Sequence, residues 1–280
     1  MHISVNGCRL YVDIEGAGIV PDGPRMRTRP TLVLLHGGPG LDHSGFKPAF
    51  SQLADIAQIV YVDHRGNGRS EHLDPATWNL AQWGDDVRGL CDALGIEKPI
   101  VYGVSFGGFV AMSYATRHPE HPGKLVLTST AARIDWELMF QAFERVGGER
   151  ARELARQRWL HPTAESRSAY REHCYPLYYR RSPDDSMIGR AVVNDAVNQH
   201  FAAGEFQRMD MRAALAGVRC PTLVMAGEQD PMTPIGFSET IAAHLPAYLL
   251  RFERFDDCGH GVAHDQPVRH FEVLREFMLA

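Results

Sequence analysis

Ser105 stands at the centre of Gly103-Val104-Ser105-Phe106-Gly107, after the apolar run 99–102 and before a helix-like stretch. This context predicts a nucleophile elbow, a strand-to-helix turn so sharp that only small residues fit two before and two after the serine. A serine hydroxyl is a poor nucleophile at neutral pH and needs a general base, itself oriented by a third group. His260, flanked by Gly259 and Gly261 just after the strand-like run 248–255, is the candidate base, and its neighbour His264 reads as a surface residue. Asp230, in Gly227-Glu228-Gln229-Asp230-Pro231 at the end of the apolar run 220–226, is the candidate orienting acid. Glu228, Asp256 and Asp257 compete with it; the two aspartates lie too close to His260 in sequence to reach its far nitrogen easily.

Attack on a carbonyl builds negative charge on the substrate oxygen, which preorganised N–H groups stabilise. The run Thr31-Leu32-Val33-Leu34-Leu35 has the continuous apolar character of a parallel strand buried on both faces, and it leads into His36-Gly37-Gly38-Pro39-Gly40. The glycines allow backbone N–H groups to approach a ligand. The expected oxyanion donors are Gly38, with Gly37 as the alternative, and Phe106, the residue after the nucleophile.

These side chains need a scaffold, and the apolar pattern supplies one. Residues 2–14 read as a hairpin turning at Asn6-Gly7, and 17–30 as a Gly/Pro/Arg loop. Short apolar strands at 31–35, 58–62, 99–104 and 124–129 alternate with helical stretches, including 78–94 and 106–117, which predicts a mostly parallel sheet with helices on both faces. From 131 to 212 strand runs cease, and the segment reads as helices broken at Gly147-Gly148, His161-Pro162 and Ser182-Pro183. Its arginine run at 150–158 reads as a solvated helix face. Strand character resumes at Cys220.

The stretches His36–Gly40, Asp63-His64-Arg65-Gly66-Asn67-Gly68-Arg69-Ser70, Gly103–Gly108 and Gly227–Asp230 with Thr233-Pro234 together resemble the α/β-hydrolase superfamily. Within it the chain is most similar to the prolyl aminopeptidase (proline iminopeptidase) group. The resemblance implies an α/β-hydrolase fold with a core formed by 1–130 and 213–280 and a helical cap, 131–212, inserted after the sixth strand. It gives Asp63–Ser70 an architectural role, tying loops together, and it implies an acyl-enzyme mechanism requiring neither metal nor organic cofactor. The implied activity is release of an N-terminal residue, proline preferred, from small peptides or amides; a carboxylesterase or lactonase is the alternative, and a non-catalytic receptor of the same fold a third. An N-terminal ammonium calls for acids from the cap, where Glu137, Glu144, Glu165, Glu172, Asp195 and Glu205 are available. Trp136, Glu137, Phe140 and Tyr178 are the expected substrate-binding residues.

Composition is consistent with these expectations. A chain of 280 residues with 44% apolar and 22% charged residues can bury a large core, and a net charge of −5 argues against nucleic acid or an acidic membrane surface as partner. Cys8, Cys91, Cys174, Cys220 and Cys258 are odd in number, widely spaced and without a C-x-x-C pair, so they predict reduced thiols and a cytoplasmic setting rather than disulfides or a zinc site. The expected partner is a small molecule or short peptide.

Overall fold

The computed structural model describes residues 1–182 and 189–280. Strands β1 (His2–Val5) and β2 (Cys8–Glu15) form the expected hairpin, with Asn6 and Gly7 both at positive φ in the turn. The segment read as a loop contains a small exposed hairpin, β3 (Ile19–Asp22) and β4 (Arg25–Thr28), turning at Gly23. With little apolar alternation and almost no burial, it carries none of the pattern that marks a core strand.

The remaining strands are β5 (Thr31–Leu35), β6 (Gln58–Val62), β7 (Ile100–Val104), β8 (Lys124–Thr128), β9 (Thr222–Gly227) and β10 (Leu250–Phe255). They join the first hairpin in one sheet of order β1-β2-β6-β5-β7-β8-β9-β10, parallel from β6 through β10. Leu32 to Leu35 are fully buried because the sheet is covered on both faces. Helices α1 (Leu80–Leu94) and α2 (Phe106–Arg117) lie as the pattern predicts; Asn79 caps the first, and Gly95 ends it in the left-handed region.

Between β8, the sixth strand of the large sheet in chain order, and β9 the chain forms α3 (Trp136–Leu160), α4 (Ala164–His173) and α5 (Asp195–Ala203). Helix α3 is interrupted at Gly148, whose φ of 74° departs from the helix, and it ends before His161-Pro162. The expected break at Ser182-Pro183 lies partly outside the described residues. A bridge between Arg133 and Asp210, with Met211 N–H donating to the Ala132 carbonyl, joins the two ends of this insertion. Helices α6 (Ile235–His244) and α7 (Pro267–Leu279) complete the core. No described helix is long and apolar enough to cross a membrane. The five cysteines are buried free thiols.

Two buried polar groups in this core bear on stability. Arg65 donates to both carboxylate oxygens of Asp86 at 2.7 and 2.8 Å, a buried pair joining the Asp63–Ser70 turn to α1. His270, on α7, is fully buried; its Nε2 meets the Tyr102 hydroxyl at 3.1 Å, and burial pushes its pKa down to about 3. Unfolding returns the imidazole to its ordinary value near 6.5, so between these values the unfolded chain binds the extra proton. The stability from keeping His270 neutral is therefore present above pH 6.5 and lost progressively as pH falls toward 3. The melting temperature is expected to drop through that window, and His270→Gln to flatten the drop; thermal unfolding from pH 4 to 8 checks this, and equal slopes for the two proteins would contradict it.

Candidate active site

Ser105 lies between β7 and α2 at φ 53° and ψ −117°, a strained conformation for a non-glycine residue. The flanking glycines explain how the turn forms. A Cβ at Gly103 would lie 2.3 Å from the Gly107 carbonyl oxygen, and one at Gly107 would lie 2.0 Å from the Leu35 carbonyl oxygen. The Ser105 N–H donates to the Thr128 carbonyl at 3.0 Å, and the Thr130 hydroxyl donates to the Ser105 carbonyl at 2.8 Å. The elbow is thus pinned to the end of β8.

Asp230 follows β9 and His260 follows β10, so both arise at the same end of the parallel sheet as Ser105. His260 Nδ1 donates to Asp230 Oδ2 at 2.8 Å, which leaves Nε2 as the basic nitrogen of the ring. The carboxylate is fully buried and saturated: its Oδ1 accepts from the backbone N–H groups of Met232 and Thr233, and the Thr233 hydroxyl donates to Oδ2 at 2.7 Å. The alternatives are elsewhere. Glu228 pairs with Arg254, Asp257 is exposed and pairs with Arg180, Asp256 is exposed, and His264 Nε2 meets the Arg181 carbonyl.

The His260 loop is held by contacts that local sequence did not reveal. Asp265 is buried and accepts from the N–H groups of Gly259, Arg180 and Arg181. The His260 N–H donates to the Tyr178 carbonyl at 2.6 Å, and the Tyr178 ring meets the imidazole edge-on with centroids 5.2 Å apart. Thr233 was the legible one of these supports, three residues after Asp230 in a turn suited to an aspartate acceptor.

On the other side of the serine, a Cβ built on Gly37 would touch Ser105 Cβ at 3.4 Å, and Gly38 adopts φ +123°. Neither the Gly38 nor the Phe106 N–H donates to another described residue. The loop is fastened from beneath: His36 Nδ1 meets the Gly37 carbonyl at 2.7 Å, and Asn67 Oδ1 accepts from the Gly40 N–H at 2.6 Å. Asp63 accepts from the backbone and ring of His43 and from the Arg69 N–H. Burial lowers the pKa of His36 and, more strongly, that of its neighbour His64. The Asp63–Ser70 turn therefore ties loops together, as the resemblance implied.

The expected substrate-binding residues separate into two sets. Tyr178 meets His260; Trp136 and Phe140 stack on each other with centroids 6.0 Å apart, and Trp136 also meets Trp159 and Phe206. Glu137 does not join them: its carboxylate is exposed and pairs with Arg152 at 2.8 Å. The other acids weighed for an ammonium site are also engaged or at the surface. Glu144 pairs with Arg152, Glu205 accepts from the Leu80 N–H, and Glu165, Glu172 and Asp195 are exposed. The arginine run needs a correction at its end, since Arg158 is buried rather than solvated.

A protein-family model described as alpha/beta hydrolase fold matches residues 30–267. The chain is 26% identical over 276 residues to 3-oxoadipate enol-lactonase 1 of Acinetobacter baylyi, covering 97% of this chain and 94% of that protein. It is 37% identical to the proline iminopeptidase PfmaB of Pestalotiopsis fici over 124 residues, 43% of each chain. The solved structure of the proline iminopeptidase of Mycobacterium smegmatis matches with a TM-score of 0.76 at 22% identity, over 99% of this chain and 97% of that one.

Proposed function

The chain belongs to the alpha/beta hydrolase family, and on that premise we propose that it is a serine hydrolase cleaving a small ester or lactone through an acyl-enzyme on Ser105. The observation that carries the chemistry is the buried Asp230–His260 pair at the same sheet edge as the strained Ser105 turn. In this reading His260 Nε2 takes the Ser105 hydroxyl proton as Oγ bonds to the substrate carbonyl carbon. The oxyanion accepts from the N–H groups of Gly38, or in its place Gly37, and Phe106. Collapse expels the alcohol oxygen, which takes the proton from His260; water then attacks the acyl-enzyme by the same route in reverse and frees Ser105. The insertion 131–212 serves as the cap, with Trp136, Phe140 and Tyr178 on its substrate side.

The ester or lactone preference rests on the acids of the insertion. Of the six available for an ammonium site, Glu137 and Glu144 pair with Arg152, Glu205 accepts from the Leu80 N–H, and the other three are exposed. Similarity over nearly the whole chain to an enol-lactonase supports the same reading. A second reading, an aminopeptidase acting on N-terminal proline, is favoured by the His36–Gly40 stretch and by the partial match to a proline iminopeptidase.

Steady-state hydrolysis of short-chain aryl esters, proline and alanine arylamides and their N-acetylated forms separates the two, with Ser105→Ala as blank. Esters are expected to exceed free-amine proline amides in kcat/KM by roughly 100-fold or more, a difference of about 2.7 kcal/mol in transition-state stabilisation. Faster cleavage of proline amides, abolished by N-acetylation, would replace the ester reading with the aminopeptidase one.

A further inference from the structure

Resting on the reading of Ser105 as the acyl-transfer nucleophile, we propose that Arg158 binds a carboxylate on the substrate, so that the ester or lactone hydrolysed is one carrying a free acid group. Arg158 lies on α3 beyond the Gly148 kink and is only 8% exposed. Its neighbours in the run find partners: Arg152 pairs with Glu137 and Glu144, Arg156 lies 3.9 Å from Glu137, and Arg150 meets His173. Arg158 has no described carboxylate within ion-pair distance. Its guanidinium lies 4.4 Å from the Trp159 ring centroid and, among the described residues, gives one hydrogen bond, from Nη2 to Asn198 Oδ1 at 3.1 Å.

A guanidinium stays protonated in proteins, so burial leaves a charge with most of its five donors unused among the described residues. Burying a charge is costly unless an anion and hydrogen bonds compensate it. Desolvation accordingly draws the Arg158 pKa below its ordinary value, and Arg167 and Arg171 act in the same direction. The indole N–H of Trp159 beside it is also buried, with no hydrogen-bond partner within 3.5 Å among the described residues. A carboxylate fits this donor set, because a planar guanidinium fork matches its two oxygens.

The contacts of Arg158 lead to the site from two directions. Asn198, which holds Arg158, donates from Nδ2 to the Pro39 carbonyl at 3.3 Å, and Pro39 follows Gly38 in the oxyanion loop. On its other side Arg158 lies over the Trp159 ring, Trp159 meets Tyr170 edge-on with centroids 5.9 Å apart, the Tyr170 and Tyr178 hydroxyls meet at 2.6 Å, and Tyr178 contacts His260. Arg158 is thus linked through Asn198 to the oxyanion loop and through Trp159, Tyr170 and Tyr178 to the base.

The test is calorimetric binding to the Ser105→Ala chain of the monomethyl esters of straight-chain dicarboxylic acids from succinic to suberic, each against its dimethyl ester. At least one monoester is expected to bind about 10- to 100-fold more tightly than its neutral partner, the range of a charge-assisted hydrogen-bonded pair. Arg158→Gln in the same background is expected to erase that difference, and Arg158→Lys to restore part of it. Equal affinities across the series, or a preference that survives Arg158→Gln, would overturn the assignment. Comparing two ligands on one protein keeps the test valid if the Arg158 variants fold poorly. Charge preference without Ser105-dependent turnover would reject the nucleophile alone; turnover without charge preference would reject Arg158 alone.

Discussion

Ser105→Ala is expected to lower kcat by about five to six orders of magnitude, with fold and substrate affinity retained. In the proposed mechanism the hydroxyl, His260 and Asp230 act as one unit, so their contributions do not add. His260→Ala should cost about as much as Ser105→Ala, and the double variant little more than either. Asp230→Asn should cost about 10⁴, because an amide cannot hold His260 in the tautomer whose Nδ1 carries the proton. Single-turnover kinetics on an activated ester reads all four variants. Additive losses would mean that the residues act separately, and a Ser105→Ala chain with wild-type turnover would remove the acyl-enzyme from the mechanism.

Gly107→Ala is expected to unfold the chain or to cost more than about 4 kcal/mol, the level reached when a core is overpacked beyond repair. The added Cβ would stand 2.0 Å from the Leu35 carbonyl oxygen and 2.8 Å from that of His36. Both are backbone atoms, one ending a central strand and the other opening the His36–Gly40 loop, so neither can yield as a flexible side chain would. Any relief moves α2 and the Phe106 N–H, and activity should fall with stability. Gly45→Ala is the control, at an exposed position where a Cβ meets nothing within 4 Å. Urea unfolding compares the two; a Gly107→Ala midpoint equal to that of Gly45→Ala would contradict the close approach at the elbow.

The legible parts of the site are those where one residue type answers a local demand. Gly103 is small because the Gly107 backbone crosses it four residues on, which a local motif can encode, whereas the backbone that crowds Gly107 is that of Leu35 and His36, far away in the chain. Asp230 could be favoured over Glu228, Asp256 and Asp257 from its place after a strand, yet its saturation by Met232, Thr233 and His260 appears only in the fold. The small hairpin β3–β4 escaped the pattern because its strands are exposed on both faces, so alternation had nothing to encode.

The insertion was the least legible region. Glu137 and Arg158 both sit in α3 among residues of similar type, and composition treated one as a candidate ligand and the other as solvated. Tertiary packing reversed them, turning Glu137 outward to Arg152 and burying Arg158 against Trp159 and Asn198. The sequence by itself determined the order of the strands and helices of the large sheet, the serine turn and the glycine loop, because apolar periodicity and steric allowance act over a few residues. Only the tertiary structure decided which charge of α3 is buried and what holds His260, because those outcomes depend on partners far apart in the chain, as Arg158 is from Asn198 and Asp230 from His260.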